Sequence, residues 1–356
     1  MNKYTMRTKG QSMKWMMIAI IAGLMSGCAS QASRPKPLKV FILAGQSNMV
    51  GHGKTEEGGN PRFDPKGPKG KENPREIPGG LGCLRSMVNE NAVKYGPKGR
   101  TPLVGEDGKW LVRNDVKIYA FCDGKTKKGD LGIGFAAPGA LWIGPEFGFG
   151  HAVGNAFSEE VLIIKVATGG TSLAGDWRSP SAAKERGGAV GPRFLHMVKT
   201  VKEVLENLDK EFPEFAGRKG EIAGFGWHQG WNDGCDAKMA AEYEVNMAAF
   251  IRDVRKEFNP NMRFVIANSG FSGDKQKEDS SLAKVRHAQD AMADAKKYPG
   301  FAGNVAVVET RPLWRDENVS PSNFGYHWNH NGITHYLMGE GMGEAMVKLL
   351  GRVEKP

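Results

Sequence analysis

Five short apolar segments alternate with segments of helical periodicity along this chain, and this alternation limits the folds that the chain can adopt. The apolar segments are five to eight residues long and rich in β-branched side chains, as is typical of strands buried on both faces. Buried strands joined by helices favour parallel pairing, because the crossover helix returns the chain to the same edge of the sheet. The sequence therefore predicts a three-layer α/β/α sandwich with a central, mostly parallel five-stranded sheet, of the flavodoxin-like type. The predicted strands cover residues 39–44, 160–167, 222–227, 263–268 and 305–309.

A single domain is expected over residues 38–351, with a long insertion at about 52–140. The insertion is rich in Gly, Pro and charged residues, has little periodicity and contains one short predicted strand at 116–121. It is too long for an ordinary connection between a strand and a helix, so we expect it to lie over one edge of the sheet. One predicted helix begins at His151, and four others cover residues 194–208, 240–258, 281–297 and 334–350.

The first 37 residues are expected to lie outside the domain. Four basic residues precede an apolar stretch at 15–25, which is too short to span a bilayer and is typical of a secretory signal peptide. Small residues directly before Cys28 resemble a bacterial lipoprotein signal. We therefore expect removal of residues 1–27, lipidation of Cys28 and a tether at 28–37, which would make the protein an exported, membrane-anchored lipoprotein in the periplasm or on the cell surface. Ordinary secretion with a free Cys28 is the alternative.

The composition is that of a globular protein with a real core, with 40% hydrophobic and 25% charged residues. The net charge of +10 is not concentrated in a basic helix or in an arginine–aromatic pattern, so we expect no nucleic-acid partner. The cysteine spacing matches no zinc or redox motif, and in an exported protein Cys83 and Cys122 are the first choice for a disulfide. No motif for a cofactor or a metal is present, so none is expected, and the sequence does not indicate an oligomeric state.

Four polar, glycine-rich clusters follow the predicted strands, at residues 45–48, 168–172, 228–233 and 268–271. The carboxyl ends of parallel strands meet at one edge of a sheet, which is where functional loops gather. Ser47 lies just after the first strand, a placement that nucleophilic catalysis uses. Ordinary turn chemistry would also account for Gly-Gln-Ser-Asn at this point.

Five motifs along the chain resemble those of one family. They are AGQSNM at 44–49, GPEFGF at 144–149, GGTSLAGDW at 169–177, WHQGWND at 227–233 and HWNHNGITHYLMGEGMGEAM from His327. In this order they resemble SGNH-type esterases, and within them the sialate O-acetylesterase and carbohydrate esterase family 6 group, which includes acetylxylan esterases. The resemblance covers nearly all of residues 38–350. It implies a serine esterase that removes acetyl groups from sugars or polysaccharides through an acetyl-Ser47 intermediate.

The resemblance also implies roles for particular residues. Acyl transfer needs donors aimed at an oxyanion, and the implied donors are the backbone N–H groups of Ser47 and Gly170 and the side-chain amide of Gln229. The base is expected shortly before the last helix, where His327 is favoured and His330 is the alternative.

The acid that many SGNH enzymes place three residues before the histidine is missing, because Phe324 occupies that position. Asp233 is the first substitute and Glu309 the second, and a two-member Ser–His pair with a backbone carbonyl orienting the imidazole is a further alternative. The remaining residues predicted to contact an acetylated carbohydrate are Gln46, Asn48, Trp177, His228, Trp231 and Trp328.

Two other functions fit the same sequence. One is a glycan-binding lipoprotein that keeps the fold but has lost turnover, and the other is an esterase or acyltransferase acting on lipids or small esters.

Overall fold

Strands and helices alternate through the computed structural model, which describes residues 37–56, 82–91 and 102–352. The predicted Cys28 and the rest of residues 1–36 lie outside these ranges. Within the described residues the strands are, in chain order, β1 (Leu38–Gly45), β2 (Gly53–Lys54), β3 (Arg113–Cys122), β4 (Lys125–Leu131), β5 (Trp142–Ile143), β6 (Val161–Ala167), β7 (Gly220–His228), β8 (Arg263–Ala267) and β9 (Val305–Val308).

Seven of these strands form one sheet in the order β4-β3-β6-β1-β7-β8-β9, and β2 pairs with β5 separately. Every neighbouring pair in the large sheet is parallel except β3 and β4. The prediction of a mostly parallel sheet is confirmed, but the prediction of five strands is wrong. One additional strand, β3, contains the short strand predicted at 116–121, but its place in the central sheet was not predicted, because it is buried only at alternate residues. The other, β4, was not predicted, because Leu131 alone among its residues is buried.

The interpretation of residues 52–140 as an insertion is therefore wrong for 113–131, which belong to the central sheet. Residues 57–81 and 92–101 of that stretch lie outside the described ranges. The predicted disulfide is also wrong, since Cys122 is a buried free thiol and is therefore not bonded to Cys83.

The helices agree closely with the periodicity of the sequence. Two predictions differ from the structure: the helix predicted to begin at His151 begins at Pro145, and the helix predicted over 281–297 ends at Ala291, where turns follow. Among the described residues, none of the helices is both long and apolar enough to cross a membrane. The helices are α1 (Ser47–Val50), α2 (Leu84–Asn91), α3 (Pro145–Ala156), α4 (Pro180–Arg186), α5 (Pro192–Glu206), α6 (Leu208–Glu211), α7 (Trp231–Gly234), α8 (Ala237–Glu257), α9 (Ser281–Ala291) and α10 (Gly332–Leu349).

Alternate side chains of β1 enter two separate cores. Val40 and Ile42 pack with residues of α5 and α8, whereas Phe41 and Leu43 pack with residues of α3 and α10. Successive side chains of a strand point to opposite faces, so the sheet is covered by helices on both faces. This confirms the three-layer arrangement.

The central strand β1 ends beside the ends of β6 and β7, where the chain passes from one half of the sheet to the other. Gly45 lies at this point and packs directly against β7, since a Cβ on it would lie 2.1 Å from the carbonyl oxygen of His228. Only glycine permits such a close approach, and its φ of +155° is also one that other residues rarely adopt. In sheets of this type, ligands bind outside the carboxyl ends of the strands at such a switch point.

Candidate active site

Ser47 is the first residue of α1, a single turn that starts immediately beyond β1. The N–H groups of Met49 and Val50 both donate to the carbonyl of Gln46, which forces the chain to turn sharply at the serine. The Ser47 side chain is largely buried at 9% exposure. Among the hydrogen bonds of the described residues, none uses the N–H of Ser47, so this donor is available at the edge of the sheet.

The two neighbours of Ser47 hold its turn in place. The Gln46 side-chain oxygen accepts from the N–H groups of Gly230 (3.0 Å) and Asn232 (3.3 Å). The Asn48 amide donates to the carbonyl of Tyr326 at 2.9 Å. Both side chains are almost fully buried, so the prediction that they contact substrate is wrong. They position the serine relative to the loops after β7 and β9.

The loop after β6 lies directly beside the serine. A Cβ on Gly169 would be 3.7 Å from the Ser47 Cβ, and the Gly169 N–H donates to the Asp123 carboxylate at 2.8 Å. Gly170 is exposed, has a φ of +67° and would have open space around a Cβ. No hydrogen bond among the described residues uses its N–H. The structure thus brings the two predicted backbone donors to the same edge of the sheet.

Gln229 differs from its predicted role. It is buried, and its amide donates to the carbonyl of Thr171 (3.0 Å) and to the Asp233 carboxylate (2.5 Å). Because an amide nitrogen carries two hydrogens, neither remains for an oxyanion. Asn232 lies half-buried on the same loop and donates to the carbonyl of Gly170 at 2.7 Å, which leaves its second amide hydrogen available.

Asp233 also supports this loop. Its carboxylate accepts from the N–H groups of Leu173 (2.8 Å) and Ala174 (3.0 Å) as well as from Gln229. Burial raises the pKa of Asp233, although these hydrogen bonds act in the opposite direction. No hydrogen bond among the described residues joins it to a histidine, so the contacts contradict its predicted role as the acid behind His327. The second choice, Glu309, is exposed and forms an ion pair with Arg311.

His327 lies half-buried on the loop that precedes α10. Burial lowers the pKa of its imidazole to about 4, and no acidic group contributes to this shift. The ring stacks on that of His52, with centroids 3.7 Å apart and planes 9° apart, and Tyr326 packs edge-on at 4.5 Å. The side chain is therefore neutral near pH 7 and fixed by rings instead of a carboxylate.

Nitrogen atoms of His52, His327 and His330 lie within 4.8 Å of one another, a spacing that a metal ion could bridge. The ring planes are nearly parallel, however, at 9°, 19° and 29°. An imidazole binds a metal with a lone pair in the ring plane, and stacked rings cannot direct their lone pairs at one ion without rotating. We interpret the cluster as a stack of neutral rings. Burial, the largest cause, lowers the pKa of His330 to about 3 and that of His52 well below 6.5.

The chain after His327 has an unusual backbone. Trp328, Asn329 and His330 are three consecutive non-glycine residues with φ between 54° and 56°. Such conformations cost free energy and persist only where surrounding contacts enforce them. Here the Asn329 amide donates to the carbonyl of Arg315 (2.9 Å), and its N–H donates to that of Phe324 (3.0 Å). The strained turn fixes the position of the preceding histidine.

Most of the aromatic residues predicted to bind sugar are buried, and those predictions are wrong. Trp177 (0% exposed) donates its indole N–H to Thr171, and Trp328 (1%) lies in the core. His228 is also buried, with Nδ1 3.0 Å from the carbonyl oxygen of Ala267 and a pKa lowered to about 4 by burial. Trp231 alone of this group is half-exposed, and its ring lies near that of Tyr326.

Three residues at the site were not predicted to act there. His52 follows Ser47 by five residues, and Asn232 lies within WHQGWND, where Gln229 was chosen instead. Asp123 occupies the two-residue Asp-Gly turn between β3 and β4, both residues having positive φ. Asp-Gly is a strong hairpin signal and was the available clue to β4 and to its pairing with β3.

Comparisons with known proteins agree with this architecture. Residues 126–347 match the family model described as carbohydrate esterase, sialic acid-specific acetylesterase. This range contains Gly170, Asn232 and His327, whereas Ser47 precedes it. A probable carbohydrate esterase from Arabidopsis thaliana is 29% identical over 288 residues, covering 76% of this chain and 85% of that protein.

Solved structures are similar at lower identity. A protein from Arabidopsis thaliana superposes with a TM-score of 0.51 at 17% identity, covering 88% of this chain and 99% of that one. A carbohydrate acetylesterase from Xanthomonas citri has a TM-score of 0.44 at 12% identity, covering 86% of this chain and 57% of that one.

Proposed function

The chain belongs to the sialic acid-specific acetylesterase family of carbohydrate esterases, and we propose that it is a carbohydrate O-acetylesterase in which Ser47 is the nucleophile and His327 the base. The hydrogen bond from Asn48 to the carbonyl of Tyr326 carries the proposal. It joins the residue after the serine to the residue before the histidine, so it fixes the two reacting side chains relative to each other.

In the proposed reaction the Ser47 hydroxyl oxygen attacks the acetyl carbonyl carbon, and its proton passes to His327. The N–H groups of Ser47 and Gly170 and the free amide hydrogen of Asn232 donate to the oxyanion. The C–O bond to the sugar then breaks, and His327 returns the proton to the leaving oxygen. Water hydrolyses the acetyl-serine by the same sequence, releasing acetate.

A base with a pKa of about 4 is weak in the resting site. Negative charge developing on the oxyanion raises the pKa of the nearby imidazole during the reaction, because an opposite charge favours the protonated form. The stacked ring of His52 and the strained turn hold the imidazole while this happens. These contacts support a two-member Ser–His pair.

The proposal is tested by acetate release from acetylated xylan, O-acetylated sialic acid and p-nitrophenyl acetate. Ser47→Ala should abolish release from every substrate, while the exposed Ser158→Ala serves as a matched control and should retain wild-type rates. A fluorophosphonate should label wild-type protein once and should not label Ser47→Ala. Full activity in Ser47→Ala would overturn the proposed nucleophile, and a preference for long acyl chains would overturn the proposed substrate class.

Export and anchoring remain part of the proposal. They are supported by the basic and apolar leader and by the small residues before Cys28. Cys28→Ala should prevent incorporation of a radiolabelled fatty acid and release the protein from the membrane fraction. If Cys28→Ala still incorporates the fatty acid and stays in the membrane fraction, the proposed lipid anchor on Cys28 is contradicted.

A further inference from the structure

Asp123 is fixed beside the loop after β6 by hydrogen bonds of its backbone and of its side chain. Its N–H donates to the carbonyl of Ala167 (3.2 Å), and one carboxylate oxygen accepts from the Gly169 N–H (2.8 Å). The residue has a φ of +47° in the Asp-Gly turn, which directs an exposed side chain back over the end of β6. The carboxylate is therefore held in a defined place while it remains open to solvent.

This carboxylate is close to the nucleophile. The position of a Cβ on Gly169 lies 3.6 and 3.7 Å from the two carboxylate oxygens of Asp123 and 3.7 Å from the Ser47 Cβ. The carboxylate and the serine are thus separated by at most twice that distance, which is about the width of one sugar ring. A sugar whose acetyl group reaches Ser47 is therefore large enough to place a neighbouring substituent against Asp123.

The second carboxylate oxygen of Asp123 has no hydrogen bond among the described residues, and no ion pair within them neutralises the side chain. An exposed carboxylate oxygen is a strong acceptor for a hydroxyl group. It also repels a negative group at short range, where a Coulomb energy remains appreciable near a protein surface.

A polar groove beside the segment that contains His327 has the same sign of charge as Asp123. It has a volume of about 590 Å³ and is lined in part by Trp314, Glu317, Gly325 and Asn329, the last two of which flank His327. Its one lysine, Lys275, is already paired with Asp316 at 2.6 Å. No ion pair among the described residues neutralises Glu317, so the groove offers an indole and amides but no free cation for an acidic sugar.

We propose that Asp123 determines substrate specificity. Its carboxylate accepts a hydroxyl group of the sugar that carries the acetyl ester, and it disfavours sugars that carry a carboxylate, so uncharged acetylated carbohydrates are hydrolysed in preference to acidic ones. This inference rests on the proposed esterase function. It departs from the sialic acid specificity that the family description names.

The test compares kcat/KM for an O-acetylated methyl xyloside and for an O-acetylated sialic acid. Wild-type protein should prefer the neutral ester, and Asp123→Asn should raise the acidic-to-neutral ratio about tenfold. Asparagine tolerates the positive φ and its amide oxygen can still accept from Gly169, so the backbone is retained. A ratio measured on one preparation is independent of the fraction of folded protein.

Asp209→Asn is the matched control, because it removes the same charge from an exposed position on α6 and should leave the ratio unchanged. In 0.5 M salt the difference between wild type and Asp123→Asn should shrink, since screening weakens charge repulsion. Equal or greater hydrolysis of the acidic ester by wild type, or an unchanged ratio in Asp123→Asn, would overturn the role of Asp123. Absence of acetate release from both esters would instead overturn the proposed function.

Discussion

The imidazole rings of His52 and His327 stack face to face, with their centroids 3.7 Å apart and their planes 9° apart. His52 comes from the segment just after Ser47, and His327 from the loop before α10. In the proposed mechanism the stack takes the place of the carboxylate of other Ser–His enzymes, because it restricts rotation of the proposed base.

His52→Ala should lower kcat for p-nitrophenyl acetate by about tenfold, because the proposed base loses its orientation. Removing the covering ring also lets water reach His327, so the acidic limb of the pH profile should move upward from about pH 4 toward 6.5. His52→Phe keeps an aromatic ring and should retain most of the activity. An unchanged kcat and pH profile in His52→Ala would contradict this role.

Much of the fold follows from the sequence because its strands are buried on both faces. Such strands are continuous apolar runs, so β1, β6, β7, β8 and β9 are visible without any knowledge of tertiary structure. In contrast, β3 and β4 lie at one side of the sheet and carry many charged residues. A strand is predicted at 116–121, but its place in the central sheet and the presence of β4 depend on what lies beside them, and composition alone assigned both to an insertion.

Some features of the candidate site can likewise be predicted from the sequence, whereas others depend on tertiary contacts. The position of Ser47 and Gly170 at strand ends follows from parallel topology, because all such ends meet at one edge. Whether Gln229 or Asn232 offers a free amide hydrogen depends on which acceptors surround each side chain. Burial of Trp177 and Trp328 likewise reflects packing between loops that are distant in sequence.

Asn232→Ala should lower kcat by about 100- to 1000-fold with little change in KM, since it removes a donor that acts on the developing oxyanion. Gln229→Ala should act differently. It removes one buried hydrogen bond to Asp233 and one from Tyr243, so the free energy of unfolding should fall by about 1–3 kcal/mol. Steady-state kinetics and urea unfolding of both variants make the comparison. A larger loss of kcat at folded Gln229→Ala than at Asn232→Ala would restore Gln229 as the donor.

Asp233→Asn distinguishes a structural role of Asp233, which is to hold the neighbouring loop by hydrogen bonds, from a role as the catalytic acid. The replacement turns an acceptor of three hydrogen bonds into a group that also donates, so one backbone N–H of Leu173 or Ala174 loses its partner. We expect the free energy of unfolding to fall by about 1–3 kcal/mol, with a modest loss of kcat and no change in the acidic limb of the pH profile. A loss of kcat of about four orders of magnitude, as expected for an acid that orients the histidine, would contradict a purely structural role of Asp233.

Buried histidines should make the protein unstable in acid, and His151 provides the cleanest test because it lies on α3 outside the site. Burial is the main cause that lowers its pKa from 6.5 to about 3, with Arg113 adding to the effect. Between these pH values the unfolded chain binds a proton that the folded protein does not. The free energy of unfolding therefore falls as the pH falls below about 6.5, by about 1.4 kcal/mol per pH unit for this residue.

His151→Leu has no group at this position that binds a proton in the unfolded chain. Between pH 7.5 and pH 5 its free energy of unfolding should therefore fall by about 2 kcal/mol less than that of wild type. At pH 7.5 the variant should be at least as stable as wild type, because both ring nitrogens of His151 are buried without a hydrogen-bond partner among the described residues and it packs against Phe147. Urea unfolding at the two pH values measures both quantities. Identical pH dependence in the two proteins would show that His151 becomes protonated without unfolding, and would contradict the lowered pKa.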